Sequence, residues 1–327
     1  MNTSSKVTTN ITMHYNRTVQ YFIASGGITT ILCIFIVYQP LTESFLEDSS
    51  CMCNCAIDSE GDKWFYQRYR PTTHVLLNSK NSALDFNTYS WWRALQGEST
   101  VTNYTKVVEV LFSLFPDKNH FSNASPSRCR TCAVVGNSGN LIRSHYGALV
   151  DSNDFIIRMN EGPTKGFERD VGSKTTHRII YPESAVDMDD ATHLVLLPFK
   201  ILDLQWIISA FTTKHIDMTY MYVRPTVKAD MNKVMIIHPA FMKYVYESWL
   251  DKRGFYSSTG FISIMFALHI CDEVNVFGFG PTRDGAWHHY FDDLVVDSNG
   301  GPHDGEFERK LIAELHQKQR IMMYKGF

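Results

Sequence analysis

The chain has 327 residues, 44% of them hydrophobic and 13% aromatic, ample for a large buried core. Its net charge of −3 excludes a global basic field for nucleic acid, so any anionic ligand must be held locally by backbone N–H groups, helix N-termini or single basic side chains.

Residues 19–38 carry no charge. As a helix they would rise about 30 Å, enough to cross a bilayer. Lys6 and Arg17 precede the segment, whereas Glu43, Glu47 and Asp48 follow it. This asymmetry predicts a cytosolic N-terminus and a lumenal bulk. The expected organisation is a tail over 1–18, a transmembrane signal anchor over 19–38, a stem over 39–60 and a catalytic domain over 61–327. A cleaved signal peptide fits less well, because Gln39-Pro40 is not a small-residue cleavage site.

Beyond the anchor lie six cysteines: Cys51, Cys53, Cys55, Cys129, Cys132 and Cys271. A C-x-C-x-C spacing is poor for zinc, and an even number of lumenal thiols predicts disulfides. Asn103 and Asn123 open N-x-S/T sequons on the lumenal side, whereas those at Asn2, Asn10 and Asn16 would face the cytosol and stay bare.

Residues 61–125 read as mainly helical, with their aromatic clusters taken as core packing. From Cys132 the pattern changes to short apolar runs at 133–135, 155–158, 177–181, 194–197, 220–223, 234–237 and 274–277. Helical stretches fall at 202–211, 240–250 and 260–270. Strands alternating with helices predict an α/β fold, a mostly parallel twisted sheet flanked by helices on both faces. Its ligands should bind beyond the C-terminal strand ends.

Three places there carry candidate chemistry. Gly136-Asn137-Ser138-Gly139-Asn140 follows a strand and could hold a nucleotide's sugar and phosphate, but it matches neither the dinucleotide nor the Walker fingerprint, and its bland reading is a strand-to-helix turn. Ser257-Ser258-Thr259-Gly260 precedes an apolar helix, where Ser258 or Thr259 suits an N-cap and the free N–H groups suit a phosphate. Near the C-terminus, His288, His289 and His303 lie among loop signals, and an imidazole can take a proton near neutrality. Asp187-Met188-Asp189 reads as an acidic loop or helix start rather than a metal ligand pair, and no metal site is expected.

Together these segments resemble the animal sialyltransferases. Residues 132–184, with CAVVGNSGNL, DSNDFIIRMN and GFERDVGSKTTHRIIYPES, are similar to the family's large motif. Residues 238–274 resemble the small motif, Trp287–Tyr290 the third, and His303 to Glu308 the very small H-x(4)-E motif. Trp91-Trp92, Leu95-Gln96, Pro198-Phe199-Lys200 and His238-Pro-Ala-Phe look closest to the β-galactoside α-2,3 branch acting on Galβ1-3GalNAc.

The resemblance implies a Golgi type II enzyme with a variant of the Rossmann-like glycosyltransferase A-type fold. It implies no cofactor and no metal, with CMP-sialic acid as donor and a galactose-terminated glycan on glycoprotein or glycolipid as acceptor. Matched by motif, Asn137, Ser138, Asn160, Tyr181, Ser258, Thr259 and Gly260 would contact CMP. His303 would be the general base, and His289 would hold the departing phosphate. Gln96, Tyr220 and Tyr256 would grip the acceptor sugar. Cys132 matches the disulfide partner of Cys271, and Cys53 is the expected partner of Cys129 among the stem cysteines Cys51, Cys53 and Cys55. Transfer to Galβ1-4GlcNAc, α-2,6 transfer to GalNAc, and an inactive lectin-like homologue are the alternatives.

Overall fold

The computed structural model describes residues 62–97, 102–117, 121, 129–292 and 301–326. The described residues all belong to one compact unit, Cys53–Phe327. The candidate anchor, the stem cysteines and Asn123 lie outside them. Among the described residues no helix is long and apolar enough to cross a membrane.

Three helices come first: α1 (Lys63–Arg68), α2 (Phe86–Ala94) and α3 (Tyr104–Leu114). Each starts at an Asp or Asn whose side chain accepts a backbone N–H of the first turn: Asp62, Asp85 and Asn103. Seven strands follow: β1 (Thr131–Val135), β2 (Phe155–Met159), β3 (His177–Ile180), β4 (His193–Leu196), β5 (Val234–Ile236), β6 (Glu273–Phe277) and β7 (Met322–Tyr324). They form one sheet in the order β5-β4-β3-β2-β1-β6-β7, every pair parallel. Between or after them run α4 (Gly147–Asp151), α5 (Glu168–Val171), α6 (Ile201–Phe211), α7 (Pro239–Tyr244), α8 (Thr259–Ile270) and α9 (Gly305–Gln317). A π-helical turn, Val245–Trp249, continues α7.

Both faces of the sheet are covered, which is why the strands are apolar at consecutive positions. On one face Cys132 and Val134 of β1, Ile157 of β2 and Val195 of β4 pack with α8, whose Phe261, Ile264 and Met265 are buried. On the other face Ala133, Val135 and Ile156 join one core, while Leu194, Leu196 and Ile236 join a second under α3 and α6. Residues alternate between the faces along each strand, as a two-residue repeat requires.

Strand order reverses at β1. The chain runs outward from β1 to β5, then returns to place β6 on the other side of β1. In an open parallel sheet the crevice at such a switch point, beyond the C-terminal strand ends, is where ligands bind.

Two sequence readings differ from the structure. Residues 220–223 are not a strand: a lone antiparallel bridge joins Met218 to Tyr222, and Tyr220 and Tyr222 are 59% and 77% exposed. The run belongs to a surface turn that ends at Arg224-Pro225, and among residues 220–223 only Val223 is buried, in the core it shares with β4 and β5. Conversely, Met322–Tyr324 forms the edge strand β7, too short to show a period.

Candidate active site

The switch-point crevice is built from three turns. After β1, the Gly136 N–H donates to Phe277 O (2.8 Å) and the Ser138 N–H to Gly278 O (3.1 Å), which ties this turn to the end of β6. The Ser138 hydroxyl donates to Gly280 O (2.6 Å) and accepts from Asn140 N (3.1 Å). Its one proton is therefore used within the fold, and what it retains for a ligand is a lone pair. Asn140 Nδ2 donates to Phe279 O (3.1 Å).

Gly139 is needed for close approach, because a Cβ there would come within 2.2 Å of the His288 ring. That contact seats the segment after β6 against the first turn. The Gly139 N–H donates to His288 O, the Tyr290 N–H to Asn137 O, and a bridge joins Ser138 to His289. His289 is half-exposed, its Nδ1 is 3.0 Å from Asp292 Oδ2, and its ring stacks on Phe291 at 4.9 Å.

The second turn follows β2. Asn160 has φ +52°, a left-handed conformation that Asn tolerates better than most residues. The buried Arg178 guanidinium secures it, donating to the carbonyls of Asn160 (2.7 Å), Glu161 (2.8 Å) and Gly162 (3.3 Å). Burial lowers the Arg178 pKa. Asn137 Nδ2 reaches Met159 O (3.4 Å) on the same side, and Asn160 Oδ1 is buried without a partner in the protein.

The third turn opens α8. Ser258 is its N-cap, with Oγ accepting from Phe261 N (3.1 Å). Glu308 in the first turn of α9 accepts from both Ser258 N (2.7 Å) and Ser258 Oγ. Glu308 is buried, and this pushes its carboxyl up to about 7. A Cβ on Gly260 would stand 3.0 Å from the Phe279 ring and 3.7 Å from Met159 Sδ. The N-terminus of α8 is thereby placed against the ends of both β2 and β6.

A second cluster adjoins this one. His303 Nδ1 lies 2.9 Å from Tyr256 O. A carbonyl only accepts, so Nδ1 carries the proton and the neutral ring keeps its lone pair on Nε2. Burial lowers the His303 pKa, partly opposed by that hydrogen bond. Tyr256 packs against Phe199 at 4.8 Å, and Phe199 meets Tyr181 edge-on at 5.7 Å. Burial raises the Tyr181 pKa, with Glu183 adding to the shift. Lys200 follows Phe199, contacts Gln96 Oε1 (2.6 Å) and lies 5.0 Å from the Tyr220 ring.

Every described residue matched by motif therefore falls in one of two groups. Asn137, Ser138, Asn160, Ser258, Thr259, Gly260 and His289 surround the switch point, while Gln96, Tyr181, Tyr220, Tyr256 and His303 line the neighbouring cluster. Asp187 and Asp189 belong to neither. Asp187 pairs with Arg224 (2.8 Å) and accepts from Lys228 N, and Asp189 accepts from Thr192. Cavities of about 470 and 960 Å³ lie elsewhere, around His74–Asn81 and Leu84–Phe112, and hold none of these groups.

Residues at the site that carried no function in the sequence reading include Arg178, Glu183, Lys200 and Glu308. A charged residue inside an apolar strand, as in His177-Arg178-Ile179-Ile180, was the available signal for the first.

A parallel sheet whose switch point gathers three polar turns, one of them opening a helix, beside an imidazole makes a site suited to an anionic ligand and to general acid–base chemistry. The sequence profile of glycosyltransferase family 29, the sialyltransferases, matches residues 76–320, and the chain belongs to that family. A Gallus gallus protein named CMP-N-acetylneuraminate-beta-galactosamide-alpha-2,3-sialyltransferase 1 is 44% identical over 281 residues, covering 84% of this chain and 82% of the relative. Its Homo sapiens counterpart is 42% identical over 286 residues, covering 84% and 83%. The crystal structure of a mammalian sialyltransferase in complex with Gal-beta-1-3GalNAc-ortho-nitrophenol superposes with a TM-score of 0.77 at 43% identity, over 84% of this chain and 98% of that one.

Proposed function

We propose that the protein transfers sialic acid from CMP-sialic acid to O3 of the terminal galactose in Galβ1-3GalNAc, on glycoproteins or glycolipids, with inversion and without a metal. The observation that carries the mechanism is the tautomer of His303. Its Nδ1–H is committed to Tyr256 O, so Nε2 is the basic atom and is held in one orientation. In this reading Nε2 takes the proton of the galactose hydroxyl as that oxygen attacks the anomeric carbon. The bond to the CMP phosphate breaks on the opposite face.

The departing phosphate gains negative charge relative to the diester. The N–H groups opening α8 and the side chain of His289 are the donors assigned to it. With Nδ1 turned to Asp292, His289 donates from Nε2 only as an imidazolium, which then supplies both proton and charge. Asn137, Asn160 and the lone pair of Ser138 recognise the nucleoside. Gln96, Tyr220 and Tyr256 hold the acceptor.

The relatives are named for the α-2,3 linkage to a β-galactosamide, and one solved relative is bound to Galβ1-3GalNAc, which supports the same acceptor here. The proposal extends to a Golgi type II membrane protein anchored by residues 19–38, with Asn103 glycosylated. Asn103 is exposed, and its Oδ1 rather than its amide nitrogen caps α3.

The test is a transfer assay with CMP-sialic acid against Galβ1-3GalNAc, Galβ1-4GlcNAc and GalNAc glycosides, with the new linkage determined by NMR. The expected product is α-2,3 on Galβ1-3GalNAc. His303→Ala should bind CMP normally while transfer falls by roughly 10²–10⁴. Near-normal transfer by that variant would remove the base assignment, and a different linkage would replace the acceptor.

A further inference from the structure

Lys200 stands between the end of β4 and the start of α6, and it is 3% exposed. Its ammonium meets Asp203 Oδ1 at 2.7 Å, Glu183 Oε1 at 3.3 Å and Gln96 Oε1 at 2.6 Å, with the Tyr220 ring at 5.0 Å. The two carboxylates are themselves anchored. Asp203 accepts from Phe199 N (2.7 Å), and Glu183 accepts from the Thr219 hydroxyl. The ammonium is thus held from one side by groups tied to the ends of β3 and β4.

Gln96 is the hydrogen-bond partner of Lys200 that carries no charge. A glutamine amide has one face that accepts and one that donates, and rotation about its last bond exchanges them. A lysine ammonium has donors only. Beside a buried, fixed ammonium, the inward atom of Gln96 must be its oxygen, and the NH₂ must point away.

We propose that Lys200 is a specificity-determining positioning residue for the acceptor. It locks Gln96 so that the site presents a hydrogen-bond donor to the sugar and requires an oxygen lone pair at that point. The inference rests on Gln96 being an acceptor contact, as proposed above. It adds the polarity of that contact and its cause. A donor already held in one orientation loses no rotational freedom when the sugar binds, so a missing sugar oxygen costs more against a locked amide than against one that must first be ordered.

The experiment uses the full chain and compares wild type, Gln96→Ala, Lys200→Met and the charge-free triple variant E183Q/K200M/D203N. The triple variant covers the case in which Lys200→Met leaves two buried carboxylates without a counter-charge and fails to fold. Acceptor and donor KM are measured with Galβ1-3GalNAc and with its 2-, 4- and 6-deoxygalactose analogues. In wild type one deoxy analogue should lose roughly tenfold or more in kcat/KM. That penalty should vanish in Gln96→Ala and shrink severalfold in both Lys200 variants, with KM for CMP-sialic acid unchanged.

If Gln96→Ala leaves acceptor KM and all three penalties intact, the acceptor reading of Gln96 falls, and this inference with it. If Gln96→Ala erases a penalty that the Lys200 variants retain, the inference alone is overturned. Loss of CMP binding in both Lys200 variants also overturns it, since Lys200 would then serve the fold rather than the acceptor.

Discussion

A histidine serves as a base only while neutral. His303 has its pKa lowered from the ordinary value of 6.5 by burial, so the neutral form persists to lower pH than for an exposed imidazole. The sign of the pH dependence follows. On the acid side transfer should fall with a midpoint below 6.5. Initial rates from pH 5 to 8 at saturating donor would show it, and an acid limb centred above 6.5 would contradict the burial argument. Single residues were partly legible in the sequence. Ser258 could be read as a cap because Ser before an apolar helical run is a local signal. The left-handed turn at Asn160 was not legible as such, because its stability comes from Arg178, eighteen residues away on the neighbouring strand.

Among the elements, α8 and α9 act as a unit. The N-terminus of α8 is fixed to the first turn of α9 by Glu308, whose carboxyl sits near 7 instead of 4.5. A raised carboxyl pKa means that the folded state favours the proton. Glu308 therefore contributes stability that is full below about 4.5 and is lost as pH rises through about 7. Glu308→Gln should flatten the dependence of Tm on pH across that window, by at most about 3 kcal/mol in stability. Asp203, raised to about 7 by burial, should leave part of the slope in place. Thermal melts of both proteins at several pH values would test this, and superimposable curves would show that Glu308 titrates normally. Long elements were legible: α6 and α8 start within one residue of the sequence boundaries and end where it placed them. The 220–223 run was misread because aromatic and β-branched content marks a strand only where a sheet is present to receive it.

At the level of the whole molecule, the disulfide joins Cys132 near the start of β1 to Cys271 just after α8, with Cα atoms 6.1 Å apart. It lies at the N-terminal end of the strands, whereas the crevice lies at the C-terminal end. Its effect on the 136–140 turn is therefore transmitted along β1 and α8 and is not local. Cys129 is disulfide-bonded as well, with its partner outside the described residues. The Cys132–Cys271 link spans 139 residues, and closing a loop of that size contributes roughly 4–5 kcal/mol in the chain-entropy model. Cys132→Ser with Cys271→Ser should lower Tm by about 10 °C while leaving the KM values close to wild type. A large rise in donor KM at temperatures where the variant is folded would show that the link shapes the site directly. The amino-acid order by itself determined the alternation of buried strands with helices, the family and the residues matched to its motifs, because periodicity, caps and short motifs are local or contiguous. Only the tertiary structure decided the strand order, the tautomer of His303, the grip of Arg178 on Asn160 and of Glu308 on Ser258, and the Lys200 cluster. Each of these depends on groups brought together from distant parts of the chain, and on burial that removes the water which would otherwise satisfy them.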